Sequence, residues 1–199
     1  DYSYEPKAYV MPKNVTVNIA ELEEKVLEYI RENMEIQIKD EEVENVAALA
    51  VAMKNLVEKY GCQAAAIQCW NQLQSEIGIM PCAANALLNE EGIPVVCETD
   101  IHGAITALLV EAADMGEKRS FFADWTIRHP DIPNGELLQH CGPWPISVAR
   151  ETPKITYPLA FNHPGSITAE AKHGEVTLCR FDGDNGEYSL LLGNAKGVD

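Results

Sequence analysis

The sequence is poor in positive charge and lacks the common catalytic signatures. Its 199 residues carry 15 Lys and Arg against 31 Asp and Glu, a formal charge of -16 with the acids dispersed along the chain. Such a surface repels phosphate backbones, which argues against a nucleic-acid partner. Long apolar runs are missing too. The longest helix-like stretch, "VAALAVAM" at 46–53, falls well short of the roughly 20 residues a membrane span requires. No membrane partner is expected. The opening "DYSYEPKAYV" has acids and a proline in place of the basic start and apolar centre of a signal peptide, so export has no support. There is no CxxC pair: Cys62, Cys69, Cys82, Cys97, Cys141 and Cys179 are scattered, several within apolar runs such as "VVC" and "VTLC". Reduced thiols act there as small hydrophobes, which fits a cytoplasmic compartment. GxGxxG, GxxxxGK, HExxH and GxSxG are all absent, so nucleotide, zinc-protease and serine-hydrolase readings have no signature. The cysteines have neither zinc spacing nor an evident basic activator, and no catalytic thiol is expected.

What remains is a chain with 46% apolar residues, enough to bury a core. In 18–34, Ile19, Leu22, Val26, Leu27, Ile30 and Met34 form one helical stripe, with Asn18 placed to cap it. Residues 39–61 repeat the pattern, with an acidic first turn and Gly61 at the stop. "CQAAAIQCW" (62–70) reads as a buried strand, "PCAANALLNEEG" (81–92) as a helix with Pro81 near its start and Gly92 past its end, and "IPVVCE" (93–98) as a second strand. "IHGAITALLVEAADMG" (101–116) is helical and "SFFADWTI" (120–127) reads as a third strand. This order predicts an α/β fold, a parallel Rossmann-like sheet with flanking helices. Beyond about residue 130, Pro- and Gly-rich turns separate "ELLQH", "SITAEA", "GEVTLCRF" and "EYSLLLG", with "DGDNG" (182–186) as a hairpin loop. An antiparallel, β-barrel-like module is expected there. The division is then 1–118 as the α/β domain, the end of a larger one, and 119–199 as a truncated β-rich domain. The missing initiator Met and the abrupt end at "GNAKGVD" fit a piece of a longer protein.

Ligands of open α/β sheets bind at the carboxyl ends of strands. Gln68, Glu98 and Asp124 close the three expected strands, and His140 closes "ELLQH". An oxygen-rich set with one imidazole suits Mn²⁺ or Mg²⁺ better than a thiolate-seeking metal. Each residue also has a plainer explanation. Asp100, just ahead of "IHGAITALL", is best placed as a helix cap. Glu98 follows a run of apolar residues and Asp124 sits within "FFADW". Burying either without a partner would be costly, so a cation is expected, the plain alternative being an ordinary salt bridge or a turn hydrogen bond. His140 alone reads more easily as a hydrogen-bonded core residue. His102, His129, His163 and His173 lie at helix starts or polar turns and are expected to be exposed. Trp70, Trp125 and Trp144 can stack on a sugar or anchor the core, with the core favoured.

Taken in order, "AAAIQCWNQ", "GIPVVCETDIHGAI", "SFFADWTIRHP" and "ELLQHCGPWP" resemble the C-terminal half of the L-fucose and L-arabinose isomerase superfamily. The similarity runs over roughly residues 60 to 145. The resemblance implies that Glu98 and Asp124 bind Mn²⁺ and move protons between C1 and C2 of an open-chain aldose. It further implies that Gln68 contacts sugar hydroxyls, with Trp70 beside it, and that His140 is a further metal ligand. A late histidine from the β domain and the N-terminal α/β domains have no counterpart here, and a homo-oligomer is implied for the full-length protein. The rival is a non-catalytic sugar-binding or oligomer-forming domain of the same fold. A metal-dependent sugar aldolase or epimerase would be distinguished by its product.

Overall fold

The structure, a computed structural model, describes residues 20–158 and 162–198. The expected cap Asn18 and the stripe residue Ile19 lie outside the described residues, as does the side chain of Leu22. Helix α1 (Ala20–Asn33) turns Ile30 into the core, and Met34 follows it there. The parallel edge formed by β1 (Glu35–Ile36) comes next. Helix α2 (Asp40–Tyr60) buries Val43, Val46, Ala47, Ala50, Val51 and Val57, an apolar face at helical spacing. Its acidic first turn and its stop at Gly61 are those read from the sequence.

Strands β2 (Ala65–Ala66) and β3 (Val95–Val96) pair in parallel, in register Ala65↔Val95 and Ala66↔Val96. Between them run the short α3 (Gln72–Ile77), which the sequence did not announce, and α4 (Cys82–Glu90), whose residues Cys82 to Asn89 are all buried. Helix α4 supports β3 directly: the Asn89 side chain accepts from the Val95 N–H at 2.6 Å. A buried strand edge is thereby satisfied by an amide in place of a neighbouring strand. Helix α5 (Ile101–Ala113) follows β3 and returns across this pair.

The expected third parallel strand does not form. Residues 120–123 have no strand structure, and β4 (Asp124–Arg128) pairs antiparallel with β5 (Glu136–Gln139), with a bulge between Trp125 and Ile127. All five β4 residues are exposed. The loop explains this: Asn134 adopts φ 63°, and the His129 N–H donates to the Gly135 carbonyl at 2.7 Å. A short hairpin closes with little loss of chain entropy, whereas a parallel strand would need a long crossover. The apolar pair that suggested a buried strand packs elsewhere, Phe121 on Trp144 and Phe122 on His140.

Strand β6 (Lys154–Thr156) pairs parallel with β1 and antiparallel with β7 (Ser166–Thr168), making a mixed three-stranded sheet. Strands β8 (Gly174–Asp184) and β9 (Glu187–Gly197) form a long hairpin through Asn185 and Gly186, both at positive φ. The expected loop over 182–186 thus narrows to a two-residue turn, with Asp182 to Asp184 paired in β8. Among the described residues the strands make several small sheets and no closed barrel. The barrel-like expectation therefore fails, and parallel pairing is confined to β2 with β3 and β1 with β6. The core joins Ile30, Val43, Val46, Ile79, Leu88 and Val95 to Trp144, Ile155 and Ile167. Among the described residues no helix is long and apolar enough to cross a membrane.

Candidate metal centre

Glu98 stands just past β3, in a turn where Glu98 has φ 64° and Thr99 has φ 57°. The Asp100 N–H donates to the Cys97 carbonyl at 3.1 Å across it. Two successive positive φ angles at the central positions are the mark of a type I′ turn, normally made by Asn and Gly. Here a glutamate and a β-branched threonine occupy them, at a cost on the order of 1–3 kcal/mol each. Such strain persists only where surrounding contacts over-determine it. The Thr99 N–H reaches back to the Ile67 carbonyl at 3.0 Å, and the Asp100 side chain accepts from the Gly103 N–H at 2.9 Å. The second bond makes Asp100 the cap of α5, as expected.

Asp124 opens β4 and His140 follows β5. In the antiparallel register Asp124 lies opposite Gln139, so both groups stand at one end of this hairpin. That end meets the Glu98 turn. His140 Nε2 lies 3.8 Å from Glu98 Oε1 and 4.0 Å from Asp124 Oδ2, and one ligand atom of each residue falls within 4.8 Å of the others. The imidazole is the floor of the site, its side chain 4% exposed, while the carboxylates form the rim at 46% and 54%.

These separations are too long for hydrogen bonds. Both ring nitrogens of His140 are buried and lack a hydrogen bond of good geometry among the described residues, the neighbouring Cys141 thiol being the one group that acts on the ring at close range. Leaving a buried polar group unsatisfied costs about 1–3 kcal/mol. A divalent ion answers both observations, because oxygen and nitrogen ligands about 2.1 Å from one octahedral ion stand roughly 3–4 Å apart. Two carboxylate oxygens and one imidazole also match the hard-to-borderline character of Mn²⁺ and Mg²⁺. The residues present therefore fit a single cation.

Electrostatics follow the same geometry. Burial and the Asp124 charge raise the Glu98 pKa above the usual carboxylate range, with His140 opposing. For His140, burial pulls the pKa down, but Cys141 and the two carboxylates outweigh it and the net shift is upward. Burial would raise Asp100, yet the bonds from Arg180 and the Gly103 N–H hold it below its ordinary value.

The sequence offers no evident basic activator for a cysteine; in the structure His140, next to Cys141 in the chain, and Cys82 both act on that thiol. Cys141 Sγ lies 3.4 Å from Cys82 Sγ. The Cys82 thiol and the adjacent His140 pull Cys141 down to about 5 against the effect of burial. The same contact and burial push Cys82 up. The close approach depends on Gly142, where an added Cβ would stand 2.5 Å from Cys82 Cβ.

Gln68 and Trp70 are exposed on the segment leaving β2. The Ile67 N–H donates to the Val96 carbonyl, so Gln68 emerges at the same end of the ladder as Glu98. Trp144 is a core anchor, 3% exposed, and its indole N–H donates to the His140 carbonyl at 3.2 Å; Trp125 is 62% exposed beside Asp124. His129 and His173 are exposed, as expected. His102 and His163 are half-buried instead, because His102 pairs with Asp182 at 3.0 Å and His163 packs by the Gly78 carbonyl. Arg180 had no motif to mark it, yet its guanidinium forks onto the Asp100 carboxylate.

No family model matches the chain. It is similar to proteins named sulfoquinovose isomerase. Identity is 30% over 163 residues with that of Alkalicoccus urumqiensis, covering 80% of this chain and 36% of the relative. Identity is 28% over 167 residues with those of Priestia aryabhattai and Priestia megaterium, with the same coverage. The chain thus spans 36% of the length of the curated relatives it matches.

Proposed function

We propose that Glu98, Asp124 and His140 hold one divalent cation, Mn²⁺ or Mg²⁺, and that the intact protein is an aldose–ketose isomerase of the L-fucose and L-arabinose isomerase-like kind. The observation that carries this reading is the convergence of two carboxylates on a buried imidazole whose nitrogens lack a hydrogen bond of good geometry among the described residues. The named isomerases to which the chain is similar support the same chemistry. Sulfoquinovose, for which those relatives are named, is the first substrate to try.

An aldose becomes a ketose when a proton leaves C2 and one is delivered to C1, while the hydroxyl proton passes from O2 to O1. No oxidant or reductant is needed. A cation in the site supplies positive charge that polarises O1 and O2 of the open-chain sugar. Glu98 and Asp124 form the acid–base pair. One carboxylate would take the proton from C2 and the pair return one to C1. His140 supports the cation from the floor. Gln68 orients sugar hydroxyls from the neighbouring strand end, and Trp70 offers an apolar face to the sugar ring. The intact protein acts in this reading as a cytoplasmic homo-oligomer.

The test is exchange of the substrate C2 proton with solvent. In ²H₂O with Mn²⁺, the intact protein is expected to label sulfoquinovose and form the ketose. Chelation and Glu98→Gln should each stop both processes. Saturable sugar binding without exchange would favour the non-catalytic sugar-binding domain, and full turnover by Glu98→Gln would reject the assignment.

A further inference from the structure

We propose that Arg180 is a positioning residue for Glu98: reaching from the β8–β9 hairpin, it clamps Asp100 and so holds the strained turn that aims Glu98 at His140 and Asp124. The inference rests on the reading of Glu98 as a metal ligand. It concerns a residue 82 positions further along the chain (180 minus 98), in an element that contributes nothing to the ligand set.

The turn bearing Glu98 is tied on its β side by the bonds from the Thr99 N–H to Ile67 and from the Asp100 N–H to Cys97. On its helical side the anchor is Asp100. A helix cap needs only one carboxylate oxygen, and Gly103 uses Oδ1. Asp100 receives more than that, because Arg180 Nη1 bonds Oδ2 and Nη2 bonds Oδ1 at 3.2 Å. A planar fork on a carboxylate fixes orientation as well as distance. Arg180 is itself held in place by its neighbours. The Phe181 N–H donates to Thr106 Oγ1 at 2.9 Å, and Asp182 pairs with His102 Nδ1 at 3.0 Å. Three consecutive β8 residues thus dock on the first turns of α5.

The clamp lies across Gly103 from the ring that packs on the imidazole. A Cβ on Gly103 would stand 2.5 Å from Asp100 Oδ2 and 2.6 Å from Phe122 Cε2. Phe122 in turn packs edge-on against His140, with ring centroids 5.4 Å apart. The carboxylate that Arg180 holds and the ring that backs His140 therefore both stand close to the same glycine.

Charge and positioning predict opposite signs, which makes Arg180 a clean test. Removing a cation from the neighbourhood of a metal site relieves repulsion and, by Coulomb's law alone, tightens metal binding. Loss of a positioning contact weakens it, by roughly 10–100-fold where outer-shell partners of metal ligands have been removed. The experiment is titration of the intact protein with Mn²⁺, read by the paramagnetic signal of the free ion, for wild type, Arg180→Ala and Arg180→Lys. Arg180→Ala is expected to bind about ten-fold more weakly or worse. Arg180→Lys, which keeps the charge without the fork, should fall between. A folded Arg180→Ala with unchanged or tighter Mn²⁺ affinity overturns the proposal while leaving the metal site standing. If circular dichroism shows Arg180→Ala unfolded, Arg180→Lys decides by the same criterion. A wild-type protein that binds no Mn²⁺ refutes the metal reading and this inference with it.

Discussion

Replacing Gly103 by alanine separates a site-centred account from a purely helical one, because the two predict opposite signs. Gly103 lies in the first turn of α5. On helix propensity alone, Gly→Ala stabilises by up to about 1 kcal/mol. Here the new methyl would stand 2.5 Å from Asp100 Oδ2, 2.6 Å from Phe122 Cε2 and 2.9 Å from Asp100 Cγ. All three are inside van der Waals contact, so the carboxylate and the ring must both move. Overpacking of this kind costs about 1–3 kcal/mol. Displacing Asp100 also weakens the cap, worth about 1 kcal/mol. The balance is a net destabilisation of about 1–3 kcal/mol, built from those two costs less the propensity gain. Chemical denaturation of the intact protein followed by tryptophan fluorescence should show an earlier midpoint, and Mn²⁺ titration should show weakened binding. A later midpoint with unchanged Mn²⁺ affinity would refute the reasoning, since the crowding around Gly103 would then carry no cost.

Asn89→Leu should destabilise the protein by about 1–3 kcal/mol in the same denaturation assay, because the buried Val95 N–H loses its acceptor; no change would mean that the strand edge finds another partner. Trp144→Ala should cost about 3–5 kcal/mol. Trp144→Phe keeps the ring but loses the bond to the His140 carbonyl, so it should lower Mn²⁺ affinity out of proportion to its smaller stability loss. Mn²⁺ binding should also depend on pH. Metal binds the deprotonated carboxylate and the neutral imidazole, and Glu98 and His140 both have raised pKa values in the metal-free protein. Protons therefore compete at higher pH than for ordinary side chains. Affinity should fall on acidification, beginning at a higher pH than an ordinary histidine would give, and an affinity that stays flat through the histidine range would contradict the assignment of His140.

Residues with local physical signatures were legible in the sequence. The stop at Gly61, the Asp100 cap and the Asn185–Gly186 turn each follow from the conformational preference of one or two residues, and each stands where it was expected. Placing Glu98, Asp124 and His140 at strand ends required only hydrophobic runs and their boundaries, and the structure brings the three together. The route by which they meet differs from the one the hydrophobic runs suggest. Phe121 and Phe122 look like the inside of a strand, but they pack on Trp144 and His140, and Asp124 begins an exposed hairpin in place of ending a buried parallel strand. Strands as short as β1, β2 and β6 carry no measurable alternation, and the β1–β6 pairing joins residues more than a hundred positions apart. The positive φ of Glu98 and Thr99 was equally hidden, because neither residue type favours it. Arg180 and the Cys82–Cys141 contact are tertiary facts without sequence periodicity.

The most direct test of the central claim is anomalous scattering from crystals of the intact protein soaked in Mn²⁺. The account predicts one peak roughly 2.2 Å from a carboxylate oxygen of Glu98, a carboxylate oxygen of Asp124 and a ring nitrogen of His140. A peak that lacks any of the three, or a site that stays empty at saturating Mn²⁺, would contradict it.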